Sequence, residues 1–324
     1  MPEPIMQRIV NRVTPSSNSL VTIELPAWSL SFLTIDVIYP QTTANADIQV
    51  DTILSPITRV AVDVRGVSQW DTSGLEAFVI GNLLYSKSPT VRKTLMTATT
   101  RRHLASIIIP FSRKPYMAQS GMKPIERGNL LLYLQFGTVP TGFKYSVHAY
   151  GWRENEPTWS VRCVRTTLNV ATTGDNDIIL APAGPILGFV FWENTAYLNS
   201  ETSVIDNVKL LIQGVEDTIN SLNFESLVAL TNMLGAGEIQ QIDHTHIENT
   251  AAAYTQNVLT LSKQQNEPLC KFQAILLDEL FDPDTVVAVP PGADIRLRVN
   301  ATATGELRVF PVEMFTPPER PVRT

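Results

Sequence analysis

The most metal-like spacing in the chain is His244-Thr245-His246-Ile247-Glu248. On a strand, positions i, i+2 and i+4 share a face, so His244, His246 and Glu248 could converge on one ion. Two imidazoles and a carboxylate without a further ligand make a weak site, and the segment reads more simply as a surface loop. His103 and His148 stand near no Gly-x-Ser-x-Gly elbow, and Ser73-Gly74 merely opens a helical pattern. Cys163 and Cys270 have no readable base partner and read as small buried thiols; whether the two meet in space is open. The carboxylates Asp278, Glu279, Asp282 and Asp284 flank Phe281 and Pro283 and read as turn chemistry and solubility. Arg101, Arg102, Arg113 and Lys114 lie close together in sequence and read as a solvated loop rather than a phosphate-binding patch. Trp28, Trp70, Trp152, Trp159 and Trp192 could form a sugar-binding platform, but tryptophan more often fills a core or an interface. No Walker loop and no Gly-x-Gly-x-x-Gly follows a strand. The expectation is no catalytic residue, no cofactor and no metal.

The elements that would position any site come next. A chain of 324 residues suggests two domains. With 44% hydrophobic and 17% charged residues, each half can bury a core. The net charge of −6 argues against a specific nucleic-acid site. Two cysteines, one in each half, make neither a disulfide framework nor a zinc signature. Residues 1–15 carry no visible signal peptide, and no apolar run is long enough for a transmembrane helix.

The chain repeats itself. ITRVAVDVRGV (57–67) matches IDNVKLLIQGV (205–215): Ile57, Val60, Gly66 and Val67 are identical to Ile205, Val208, Gly214 and Val215. Both alternate apolar and other residues, as a half-buried strand does, and both end at a glycine suited to a turn. A helical pattern follows each. SGLEAFVIGNLL (73–84) opens with a capping box, Ser73 and Glu76, and NFESLVALTNML (223–234) opens with Asn223 as N-cap. Leu75, Phe78, Val79 and Leu83 would share one face of the first helix, and Phe224, Leu227, Val228 and Leu230 one face of the second. Before each strand, VTIELPAWSLSFLTIDV (21–37) resembles DIILAPAGPILGFVFWE (177–193). After each helix, LLLYLQFGTVPTGFKYSVHAY (130–150) resembles DIRLRVNATATGELRVFPVEM (294–314), with Thr141-Gly142 and Thr304-Gly305 at the turn, where glycine permits positive φ. The second half carries extra residues within 235–258. Strands recurring every ~8–12 residues with turn signals between them predict an all-β protein of two tandem jelly-roll β-sandwiches, each with a short helix after a mid-domain strand. The predicted division is an N-terminal arm at 1–19, jelly rolls at 20–158 and 159–315, and a C-terminal tail at 316–324.

This pattern resembles the double jelly-roll major capsid proteins of icosahedral viruses, the lineage of adenovirus hexon and of tailless membrane-containing phages. VKLLIQGVEDTINSLNFESLVAL (208–230) is similar to the strand, polar turn and helix found once in each such domain. The resemblance covers about residues 20 to 315 and implies a structural virion protein located in the capsid. It implies homotrimers with a pseudo-hexagonal footprint, with neighbouring capsomers, minor capsid proteins and an internal membrane as partners. The two ends would be assembly arms or frayed termini. A glycan- or host-binding spike or fibre protein is the first alternative. A two-sandwich hydrolase or a degenerate bicupin is the second, and a cleft with clustered carboxylates at the domain junction would mark it. The second cupin motif is broken here, since Ile295 stands where its histidine should follow Pro290-Pro291-Gly292.

Overall fold

The computed structural model describes residues 3–41, 50–85, 91–92, 101–193, 203–234, 242–250, 253–261, 272–281 and 285–318. The first half runs β1 (Glu3–Val13), β2 (Leu20–Glu24), β3 (Ser29–Gln41), α1 (Val50–Leu54), β4 (Ile57–Val64), β5 (Val67–Thr72), α2 (Gly74–Leu84), β6 (Val91–Arg92), β7 (Arg101–Pro110), β8 (Leu130–Phe136) and β9 (Lys144–Arg153). The second runs β10 (Ser160–Val164), β11 (Thr166–Val170), β12 (Gly174–Leu180), β13 (Ile186–Glu193), β14 (Ile205–Ile212), β15 (Val215–Glu216), β16 (Leu222–Asn223), α3 (Phe224–Met233), β17 (Ile242–Thr250), β18 (Ala253–Leu261), β19 (Phe272–Leu276), α4 (Leu277–Leu280), β20 (Ile295–Ala301) and β21 (Gly305–Phe315).

The internal repeat becomes a repeat of sheet topology. In the first half one sheet is ordered β1-β9-β3-β7-β6, and it faces the strands β2-β8-β4-β5. In the second half, β21-β13-β19 with β10 and β11 at its side takes the place of the former, and β12-β20-β14-β15 that of the latter. The matched segments fall on matched strands. Even the tight turns agree: Arg65-Gly66 and Gln213-Gly214 have φ of 51° and 80°, and of 52° and 80°. Positive φ at both central residues is the hairpin turn whose twist suits two antiparallel strands.

The helices form as their caps dictate. Ser73 accepts from the Glu76 N–H and the Glu76 carboxylate accepts from the Ser73 N–H at 2.7 Å, closing the box. Asn223 Oδ1 accepts from the Ser226 N–H at 2.9 Å. Their burial differs. α3 keeps one apolar face around Phe224 and Leu227, whereas α2 is buried on every side except at Leu75. The expectation of a single apolar face for α2 is thereby corrected, because α2 lies against β7 within an apolar cluster that also takes in Val190, Trp192, Phe272 and Phe310 of the second half. A Cβ on Gly81 would lie 2.0 Å from the Ile108 carbonyl oxygen, so no side chain fits between α2 and β7. Gly81→Ala is expected to lower stability by ~2–3 kcal/mol through overpacking, read as a drop in the urea midpoint; an unchanged midpoint would mean that the helix lifts off freely.

Three other expectations are revised. Residues 3–13, expected within an arm, form β1, antiparallel to β9, with Ile9 and Val10 against the core. Their polar look comes from an edge strand having one neighbour and much solvent. Gly142 has φ +92°, but Gly305 is not in the left-handed region: it begins β21 opposite Val170, where β11 extends the pairing. Residues 244–248 lie in β17, which among the described residues pairs with β18, and not in an irregular loop.

Strand β13, ILGFVFWE, is buried at every position. Phe189 and Phe191 join the second core while Val190 and Trp192 join the first cluster. A strand covered on both faces needs a continuous apolar run rather than alternation.

Candidate functional site: the joint between the two halves

The chemistry-bearing side chains converge on the surface where the halves meet. There β10 adds to β5 in parallel, Cys163 opposite Trp70 and Val164 opposite Asp71. This joins strands of both halves into one nine-stranded sheet. Gln69 on β5 donates to Ser160 Oγ at 2.9 Å and to the Val161 carbonyl at 2.8 Å, all buried.

Three ion-pair groups straddle the joint. Arg113, which follows β7, is buried and contacts Asp278 through Nε, bonds its Oδ1 at 3.0 Å, and reaches Glu279 at 2.8 Å and the Leu84 carbonyl at 2.6 Å. Lys114 also pairs with Glu279. The solvated-loop reading of Arg113 and Lys114 and the turn reading of Asp278 and Glu279 are corrected together: each set neutralises the other across the joint. In the second group, Glu76 of α2 pairs with Arg308 of β21, and Arg165 lies 3.5 Å away. Arg308 also stacks 4.1 Å above the Trp192 ring. In the third, Arg162 donates to the Ser68 carbonyl at 3.0 Å and to Glu313 at 2.7 Å. Burial pushes the Glu313 carboxyl up, and Arg162 offsets this only in part.

These charges are placed for adhesion. A carboxylate bonded to an Arg fork has its lone pairs occupied, and Asp278 is held in this way by Arg113 from the other half. Cys163 is fully buried, and burial together with nearby Glu313 pushes its thiol well above the ordinary range, the reverse of a nucleophile. His148 Nδ1 lies 2.9 Å from Asp36 Oδ2, and Ser106 donates to Asp36 Oδ1 at 2.6 Å. The carboxylate stands in the middle, whereas activation of a hydroxyl requires the imidazole there. A shallow depression of 460 Å³ beside α1 is lined by Asp51, Thr52, Ser55, Thr58 and Ser73 among others, with one carboxylate.

Of the tryptophans, Trp70 and Trp192 are buried, and Trp28 and Trp159 pack on the core while partly exposed. His103 is buried on β7. Among the described residues no cluster of three His, Cys, Asp or Glu could hold a metal. The side chains of His244, His246 and Glu248, together with Cys270, Asp282 and Asp284, lie outside the described residues, as does the Arg101 side chain. Sequence reasoning missed Glu76 as a joint residue, and missed Arg308, Arg162 and Glu313. The local signal at Glu76 is its half of the capping box with Ser73, which carries no sign of a partner in the other half.

No family model matches the chain, and no curated protein matches it in sequence. Solved structures do match in shape. The STIV MCP, of Sulfolobus turreted icosahedral virus, superposes with TM-score 0.67 at 10% identity over 97% of each chain. The major capsid protein P2 of bacteriophage PM2 gives 0.60 at 12% identity, over 97% of this chain and 98% of that one. A chain of the PBCV-1 virus capsid gives 0.55 at 7%, over 97% and 94%. The fold is a double jelly roll. At these identities the likeness is one of fold, and it spans both halves and the joint together.

Proposed function

We propose that this chain is a major capsid protein, a structural protein of the virion with no enzymatic role. Three copies would form a homotrimeric capsomer with six similar lobes and a pseudo-hexagonal outline, and such capsomers would tile an icosahedral shell. One observation carries the reading: the double jelly roll matches over nearly the full length of both chains, and the structures it matches are named as capsid proteins. The buried contacts across the joint support it, since a tile must hold its two lobes at one angle. We place the boundary between jelly rolls at 158/159, in the stretch between β9 and β10. Other copies of the chain are the first partners; minor capsid proteins and an internal membrane are the further partners this role implies. With a net charge of −6 and Arg113 and Lys114 already neutralised, the chain is poorly suited to bind nucleic acid.

Light scattering on a sizing column tests the proposal. The expected mass is three times the 35.9 kDa of one chain. A stable monomer at micromolar concentration would overturn it, because a shell tile needs a self-complementary surface of standard interface size or more.

A further inference from the structure

The joint inside the chain has two unused counterparts on its surface. It is made by the first strand of the second half, β10, lying beside the last strand of a first-half sheet, β5. The counterpart of β10 in the first half is β1, and that of β5 in the second half is β15. Among the described residues, both stand at the ends of their sheets. The correspondence can be followed residue by residue. Met6 pairs with Tyr150, which pairs with Phe32; Cys163 pairs with Val312, which pairs with Gly188; and Phe32 and Gly188 occupy matching positions in the repeat. Met6 therefore stands where Cys163 stands. Val67 and Val215 each open the strand after the matched turn, so by sequence Thr218, two residues past the end of β15, corresponds to Trp70.

Burial separates the used members from the unused ones. Cys163 is fully buried at the joint, while Met6 is 76% exposed. Leu83 near the end of α2 is buried, while Met233 at the end of α3 is 72% exposed, and Val215 is 68% exposed. Charge agrees as well. Arg8, two residues beyond Met6, matches Arg165, two beyond Cys163. Arg165 reaches Glu76 in the first turn of α2, and α3 carries Glu225 in its own first turn. The β1 edge presents Arg8 and Arg12, and Glu216 of β15 and Asp217 just past it face solvent on the other edge; all four are exposed, and Glu216 also pairs with Lys209.

We infer that β1 of one copy lies parallel to β15 of the next, repeating between chains the joint that β10 makes with β5 within one. The partner is a second copy of this chain, engaged head to tail. A heterologous contact of this kind either closes a ring or runs on as a filament. Three such contacts between three copies, alternating with the three joints inside them, close the ring. The inference rests on the self-assembly reading above and assigns that assembly its contact strands.

Cysteine cross-linking of the full chain tests it. Neighbouring strands bring paired Cα atoms within disulfide reach, about 4.4–6.8 Å. Met6→Cys and Thr218→Cys are introduced together in a Cys270→Ser background; both positions are exposed in the single chain, so folding is not at stake. Mild oxidation is expected to convert most of the double variant into covalent species of two and three chains on a denaturing gel, while each single variant stays one chain. A trimer by light scattering without these cross-links overturns the β1–β15 joint and leaves the capsomer reading standing. Linkage of the Met6→Cys variant to itself shows a two-fold contact and also overturns the joint. A monomer by light scattering overturns both.

Discussion

Arg113→Met is expected to lower the unfolding free energy by about 3–5 kcal/mol, the usual cost of stranding one member of a buried ion pair. The side chains of Arg113 and Asp278 are each 4% exposed, so Asp278 would keep its charge without a counter-ion and with little water. The Leu84 carbonyl at the end of α2 would lose its donor at the same time. The measurement is urea unfolding followed by tryptophan fluorescence, at a fixed protein concentration because association adds to apparent stability. Asp278→Leu added to Arg113→Met is expected to restore much of the loss, since an apolar pair removes the stranded charge. If Arg113→Met left the midpoint unchanged, the bridge would hold nothing together and the joint would rest on apolar packing alone.

The second large effect is a dependence on pH. Glu193 ends β13 fully buried, where its carboxylate accepts from the Ser203 hydroxyl at 2.9 Å and the Val204 N–H at 2.5 Å. Burial pushes its carboxyl up from 4.5 to about 7, and the two hydrogen bonds only partly offset this. Below pH 4.5 the group is protonated whether the chain is folded or not. Between 4.5 and 7 the unfolded chain releases the proton and the folded chain keeps it, so stability falls as pH rises. Above 7 the loss levels off at about 3 kcal/mol. Glu193→Gln keeps the shape without a charge: its carbonyl oxygen accepts from the Val204 N–H, and its amide donates to the Ser203 hydroxyl oxygen, whose own proton goes to the Ile205 carbonyl. Its stability curve is expected to meet that of the wild type near pH 4 and to lie about 3 kcal/mol above it at pH 8. Two parallel curves would show that Glu193 is ionised when folded, with water reaching it.

Much of the architecture could be read without coordinates because it is written in local patterns. The alternation in 57–67 and 205–215, the Arg65-Gly66 and Gln213-Gly214 turns, and the Ser73 and Asn223 caps each depend on residues a few positions apart. When such signals recur in the same order they specify two copies of one sandwich, since each strand's period sets which face is buried. The apolar run of β13 could also be seen, though not that its two faces enter different cores.

The joint could not be read that way. Arg113 and Asp278 are 165 residues apart, and each by itself is an ordinary surface charge. Glu76 satisfies its local role in the capping box completely, which hides its pairing with Arg308. Likewise β1 looks like a polar arm because an edge strand needs few apolar residues. Local sequence determined what each half is, since propensity, capping and periodicity act over a few residues. Tertiary structure alone decided how the halves meet, because the charge that neutralises a buried group is chosen by distance in space and not along the chain.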